Sequence, residues 1–193
     1  YYDLSQSQVE MLQRMMLMML DQKDYIALDL LDEEDQMKAD IEPSTLYELH
    51  GKMVSNIGAS SKFEQIFTMQ RKYPKSSVVW SNFTKGIHNF YNAAIEAGFV
   101  AEHYHSAQKK QQLQQLLDHK IDFLLIPPHA TEGLSLPGVE VMHILEPCRN
   151  ITQYNQLKAR IVRYRHRLKD LITPEVYILN WIGRMPSKRR QML

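Results

Sequence analysis

The sequence predicts an α/β fold: a parallel sheet flanked by helices, with an N-terminal helical extension and a short basic C-terminal extension. Three observations predict it. From Pro74 onward, short apolar runs alternate with helical stretches of about 10–15 residues, the rhythm of strand–helix–strand crossovers. SVVW (77–80) and IDFLLI (121–126) are apolar nearly throughout, as strands buried on both faces are. Stop signals fall where the runs end: Gly98, Pro127-Pro128 and Glu146-Pro147.

The elements follow in order. Tyr1–Leu4 reads as a short strand. Ser5 is an N-cap for a helix through about Leu20, with Gln8 at the capping-box position. Residues 15–20 of that helix are apolar all round. They suit either a Met-rich core or a surface meant for a partner. Ser44 caps a helix through about Ser55, and Ser60 or Ser61 caps another over 60–73. Then come a strand at Ser77–Trp80, a helix at Thr84–Ala97 closed by Gly98, and a strand at Phe99–His105. A helix at Ala107–His119, strands at Ile121–Ile126 and Val139–Leu145, and a helix at Ile151–Lys169 complete the alternation. Val176–Trp181 reads as an extra edge strand.

The single cysteine, Cys148, excludes an internal disulfide framework and fits a reducing compartment. No apolar run approaches the length of a membrane-spanning helix, so no membrane partner is expected. The opening YYDLSQSQ lacks the basic flank of a secretory leader and an initiator Met, so a piece of a longer chain is expected. The net charge of +1 hides a division. From Arg149 onward there are 11 Lys and Arg against 2 Asp and Glu, whereas the first 148 residues are net acidic. A segregated basic third points to a polyanionic partner or to a solvated basic surface.

Ligands of parallel α/β sheets sit outside the carboxyl ends of the strands, which singles out the loops after Trp80, Ile126 and Leu145. Ser81 and Asn82 follow the first, either touching a backbone or capping the next helix. The second carries Thr131, Glu132 and Gly133, with Gly133 permitting close backbone approach to a ligand. After the third, Gln156, Arg160, Arg163 and Arg167 share one helix face, with Leu157, Ile161 and Leu168 opposite. Planar guanidinium groups hold phosphate oxygens bidentately; the other reading is a solvated basic helix. His103 and His105 alternate on one predicted strand but lack a third metal ligand, and Cys148 with His143 shows no triad pattern. No G-x-x-x-x-G-K-[ST] phosphate loop occurs.

Taken together, SVVWSNFTKGI, DFLLIPPHATEGLSLPGVEVMHILEP and QLKARIVR resemble motifs IV, V and VI of the second RecA-like domain of superfamily 2 helicases. Ala159 stands where the motif VI pattern Q-x-x-G-R-x-x-R has Gly. The combination of EGLSL, HILEP and RYRH is most similar to the Swi/Snf-like helicases of large nucleocytoplasmic DNA viruses, the poxvirus and asfarvirus kind. The resemblance implies a RecA-like domain at 59–168, a helical bridge from an N-terminal RecA-like lobe at 1–58, and a basic extension at 169–193. It implies that Arg163 and Arg160 are arginine fingers for ATP, held with Mg2+ mainly by the N-terminal lobe. Gln156, Gly133 and Glu132 would border the nucleotide. Ser81, Asn82 and Thr131 would touch nucleic acid, DNA rather than RNA. Viral transcription proteins as partners, and location in the virion and the host cytoplasm, follow from the same resemblance. The parent would be an ATP-dependent helicase, and this part alone inactive. A non-catalytic RecA-like assembly module and a stand-alone nucleotide-binding domain are the other readings.

Overall fold

The computed structural model describes residues 2–20, 56, 60–131, 134–161 and 176–184, of which Tyr2, Gln13, residues 15–20, His129, Thr131, Gly183 and Arg184 are described by backbone alone. The predicted helix over 44–55 lies outside these residues. Strand β1 (Tyr2–Asp3) leads into α1 (Gln6–Leu20). The capping box is formed reciprocally: Gln8 N–H donates to Ser5 Oγ at 3.3 Å, and Ser5 N–H to Gln8 Oε1 at 2.9 Å.

Helix α2 (Ser61–Lys72) starts after Ser60, whose side chain makes no cap hydrogen bond. Ser61 Oγ, the other expected cap, donates to the Asp3 carbonyl at 2.6 Å and ties α2 to the N-terminal strand. Then follow β2 (Ser77–Trp80), α3 (Thr84–Glu96), β3 (Ala101–His103), a 3-10 turn (Ser106–Gln108), α4 (Lys109–Leu117) and β4 (Phe123–Ile126). A second 3-10 turn (Pro128–Thr131), β5 (Val141–Ile144), α5 (Ile151–Ile161), β6 (Tyr177–Asn180) and β7 (Gly183–Arg184) complete the order. Gly98 closes α3 at φ +83°, the left-handed conformation that its position was expected to require.

Five strands form one parallel sheet in the order β3-β4-β2-β5-β6, and β1 pairs in parallel with β7. The expected edge strand is β6, beside β5. Alternation along each strand sends side chains to two layers. Val79, Phe123 and Leu125 pack with Phe63, Ile66 and Phe67 of α2 and with Ile87 and Phe90 of α3. Val78, Trp80, Leu124, Ile126, Met142 and Ile144 pack with Leu116 of α4 and with Leu157 and Ile161 of α5. Burial of β2, β4 and β5 on both faces accounts for their continuous apolar sequences.

Register positions the site. Trp80 is level with Ile126 on one side and with Ile144 on the other. The three loops singled out from sequence therefore leave the sheet side by side, from β4, β2 and β5.

Candidate nucleotide and nucleic-acid interface

Behind these loops lies a buried polar cluster. Glu146, just past β5, is 1% exposed. Its Oε1 accepts the Asn82 main-chain N–H and the Ser81 hydroxyl, and its Oε2 accepts Asn56 Nδ2 at 2.7 Å. Lys62 on α2 donates to Asn56 Oδ1 and to the Leu145 carbonyl, the latter at 2.7 Å. Burial lowers the Lys62 pKa to about 7, against the opposing pull of Glu146. Burial likewise raises that of Glu146, against Lys62 and the hydrogen bonds it accepts. The cluster binds α2, the β2 loop and the β5 loop into one unit.

Ser81 was expected to offer its hydroxyl to a phosphate backbone. It is 0% exposed, and the hydroxyl is engaged by Glu146 and by the Phe83 N–H. This corrects the expectation: Ser81 braces the loop from inside, because the strand end carries it beneath the β5 loop. Nor does it cap α3 from the N-cap position, which is Phe83, with no side-chain cap bond. Asn82 is also buried, yet among the described residues its Nδ2 meets no hydrogen-bond partner. Its Oδ1 accepts Gln153 Nε2 at 2.9 Å.

Helix α5 begins at Ile151, where Asn150 Oδ1 accepts the Gln153 N–H at 2.9 Å. Leu157 and Ile161 face the core as expected, Gln156 is exposed and Arg160 is half-buried. Among the described residues, Arg160 Nε is buried without a hydrogen-bond partner. The Arg160 carbonyl accepts the Leu136 N–H at 3.0 Å, so the loop after β4 closes against the arginine helix. Thr131 ends the second 3-10 turn, on that same loop. Arg163, Arg167, Glu132 and Gly133 lie outside the described residues. Ala159 is exposed, so its methyl stands on the open side of α5.

The histidine pattern resolves differently from its sequence reading. Strand β3 ends at His103, which stacks against Tyr91 at 4.9 Å, while His105 directly precedes the 3-10 turn and donates its N–H to Gln112. His143 points into the layer of Phe123 and Trp181, whereas Cys148 packs against the opposite layer. Sequence reasoning missed Lys62, Asn56, Glu146 and Gln153. A cavity of about 300 Å³ lies elsewhere, at the strand starts, lined by Met69, Tyr73, Val141, His143, Tyr177 and Leu179.

Residues 59–165 match the family described as the helicase conserved C-terminal domain. No curated protein matches the sequence. The C-terminal part of the Fun30 ATPase domain is similar in structure, with a TM-score of 0.52 at 15% identity over 69% of this chain and 41% of that one. The RNA-helicase Prp28 from Chaetomium thermophilum, bound to ADP, gives a TM-score of 0.51 at 16% identity over 66% of this chain and 31% of that one. The chain thus spans less than half the length of either. These likenesses bear out the RecA-like parallel sheet flanked by helices.

Proposed function

The chain belongs to the helicase conserved C-terminal domain family, and on that premise we propose that it is the C-terminal lobe of an ATP-dependent superfamily 2 helicase or translocase. One observation carries the reading. The matched segment brings the loops after β2, β4 and β5 to one end of the sheet, and the loop after β4 is hydrogen-bonded to the helix that carries Arg160. Residues 1–58 are the bridge from an N-terminal RecA-like lobe, 59–168 the lobe itself and 169–193 its basic extension.

Arg160 and Arg163 are the arginine fingers. A buried Arg160 Nε with no hydrogen-bond partner suits an acceptor oxygen from outside, such as a phosphate. ATP with Mg2+, held mainly by the N-terminal lobe, supplies the phosphoryl group whose hydrolysis drives the motor. Gln156, Glu132 and Gly133 border that nucleotide. Asn82 and Thr131 face the nucleic acid, which is DNA, and Ser81 holds Asn82 in place. The combination of EGLSL, HILEP and RYRH supports a viral parent of the poxvirus and asfarvirus kind. It acts in transcription or genome handling, with viral transcription proteins as partners, in the virion and the host cytoplasm.

The test is nucleic-acid-stimulated ATP hydrolysis by the full natural chain, wild type against Arg163→Ala. A fall in kcat of about two orders of magnitude or more, with ATP binding kept, is expected for an arginine finger. Unchanged hydrolysis rejects that role and favours a non-catalytic assembly module. These 193 residues alone are expected to hydrolyse no ATP.

A further inference from the structure

Asn82 is held from two sides. Its main-chain N–H donates to Glu146, and its Oδ1 accepts Gln153 Nε2 at 2.9 Å. Gln153 is itself fixed. Its Oε1 accepts the Arg149 N–H at 2.8 Å, and its own N–H donates to Asn150 Oδ1 at 2.9 Å. Because Oε1 accepts the Arg149 N–H, the Gln153 carboxamide has one orientation, which sets that of Asn82. With Oδ1 engaged, Asn82 keeps Nδ2 as a donor that is buried and unpartnered. A buried donor in this state has an affinity for an acceptor oxygen.

Gln153 lies in the first turn of α5, and Arg160 stands seven residues on, two turns along the same face. Arg160 Nε is likewise buried and unpartnered. The two orphan donors are thus joined by one hydrogen bond and two turns of helix.

We propose that Gln153 is a positioning residue that couples them. An acceptor oxygen of a nucleic-acid strand, phosphate or sugar, engages Asn82 Nδ2, and the Asn82–Gln153 bond passes the resulting shift to the helix that carries Arg160. This rests on the helicase reading and adds to it a residue that touches neither nucleotide nor nucleic acid.

The experiment uses the full natural chain with a single-stranded DNA oligonucleotide and, separately, an RNA one. Hydrolysis of ATP is measured without and with each. For Gln153→Met, basal hydrolysis and the oligonucleotide concentration giving half-stimulation stay within about twofold. Maximal stimulated kcat falls about fivefold, the scale of one neutral hydrogen bond. Asn150→Ala is the control. It removes the acceptor of the Gln153 main-chain N–H without touching the Gln153 carboxamide or Asn82, and it leaves the stimulated kcat near wild type. An unchanged stimulated kcat in Gln153→Met overturns the coupling. So does a proportional fall of basal and stimulated rates, or an equal loss in Asn150→Ala, since each marks a merely structural role. A wild type that no nucleic acid stimulates instead overturns the helicase reading, and the coupling with it.

Discussion

The Ser81 hydroxyl lies 3.0 Å from one oxygen of the Glu146 carboxylate and 3.1 Å from the other. It also accepts the Phe83 N–H at 3.0 Å. Removing it leaves a buried carboxylate one donor short and a buried N–H without its acceptor. Ser81→Ala is therefore expected to lower stability by about 1–3 kcal/mol, read from urea unfolding at constant m. A change within a few tenths of a kcal/mol would mean that the hydroxyl bears no weight in the fold.

Lys62 and Glu146 meet through Asn56, which accepts from one and donates to the other. Removing one charged partner from a buried pair strands the other. Lys62→Met alone is expected to cost about 3–5 kcal/mol. Adding Glu146→Gln to it is expected to recover a large part, because the amide oxygen still accepts the Asn82 N–H and no buried charge is left. A double-mutant cycle by urea unfolding measures this coupling. Additive losses would show that the two side chains act independently.

Gly86, on α3, sits over the same cluster. A Cβ there would come within 2.7 Å of Ser81 Oγ and 2.9 Å of Asn56 Nδ2. In an open helix Gly→Ala is stabilising by about 1 kcal/mol. Here the sign is expected to reverse: Gly86→Ala loses about 1–3 kcal/mol, because the atoms it meets are held by Glu146 and cannot give way cheaply. Thermal unfolding decides it, and a rise in Tm would refute the close packing of α3 on the cluster.

The alternation of strands and helices was legible because both faces of β2, β4 and β5 are buried and the stop residues are local. The Ser5–Gln8 capping box was legible for the same reason, since two residues three positions apart hold all of its chemistry. The inward face of α5 could be read from the spacing of Leu157 and Ile161. The buried cluster could not. Asn56 and Glu146 are 90 residues apart, and no periodicity marks a lysine and a glutamate that meet only after the sheet has formed. Ser81 was misread by its place in a motif; the topology, which tucks the end of β2 between its neighbours, turns it inward. His103 and His105 were paired on an alternation that stops where β3 stops.

His143 supplies a pH signature. It is 2% exposed, it accepts the Trp181 indole N–H on Nδ1 at 3.2 Å, and burial lowers its pKa to about 3. The imidazole is thus neutral in the folded chain, and the unfolded chain takes up a proton near the ordinary value of 6.5. Between those values the unfolded state binds more protons, so the contribution of His143 is fully present above 6.5 and is lost as pH falls toward 3. The loss should run at about 1.4 kcal/mol per pH unit. His143→Gln keeps an acceptor for Trp181 and has no proton to gain. Unfolding free energies of the two proteins are expected to differ by a constant above about pH 7, and wild type is expected to lose ground to the variant at about that slope below pH 6. A difference that stays flat through the acid range would show that His143 is protonated in the fold, with its Nδ1 no longer the acceptor for Trp181.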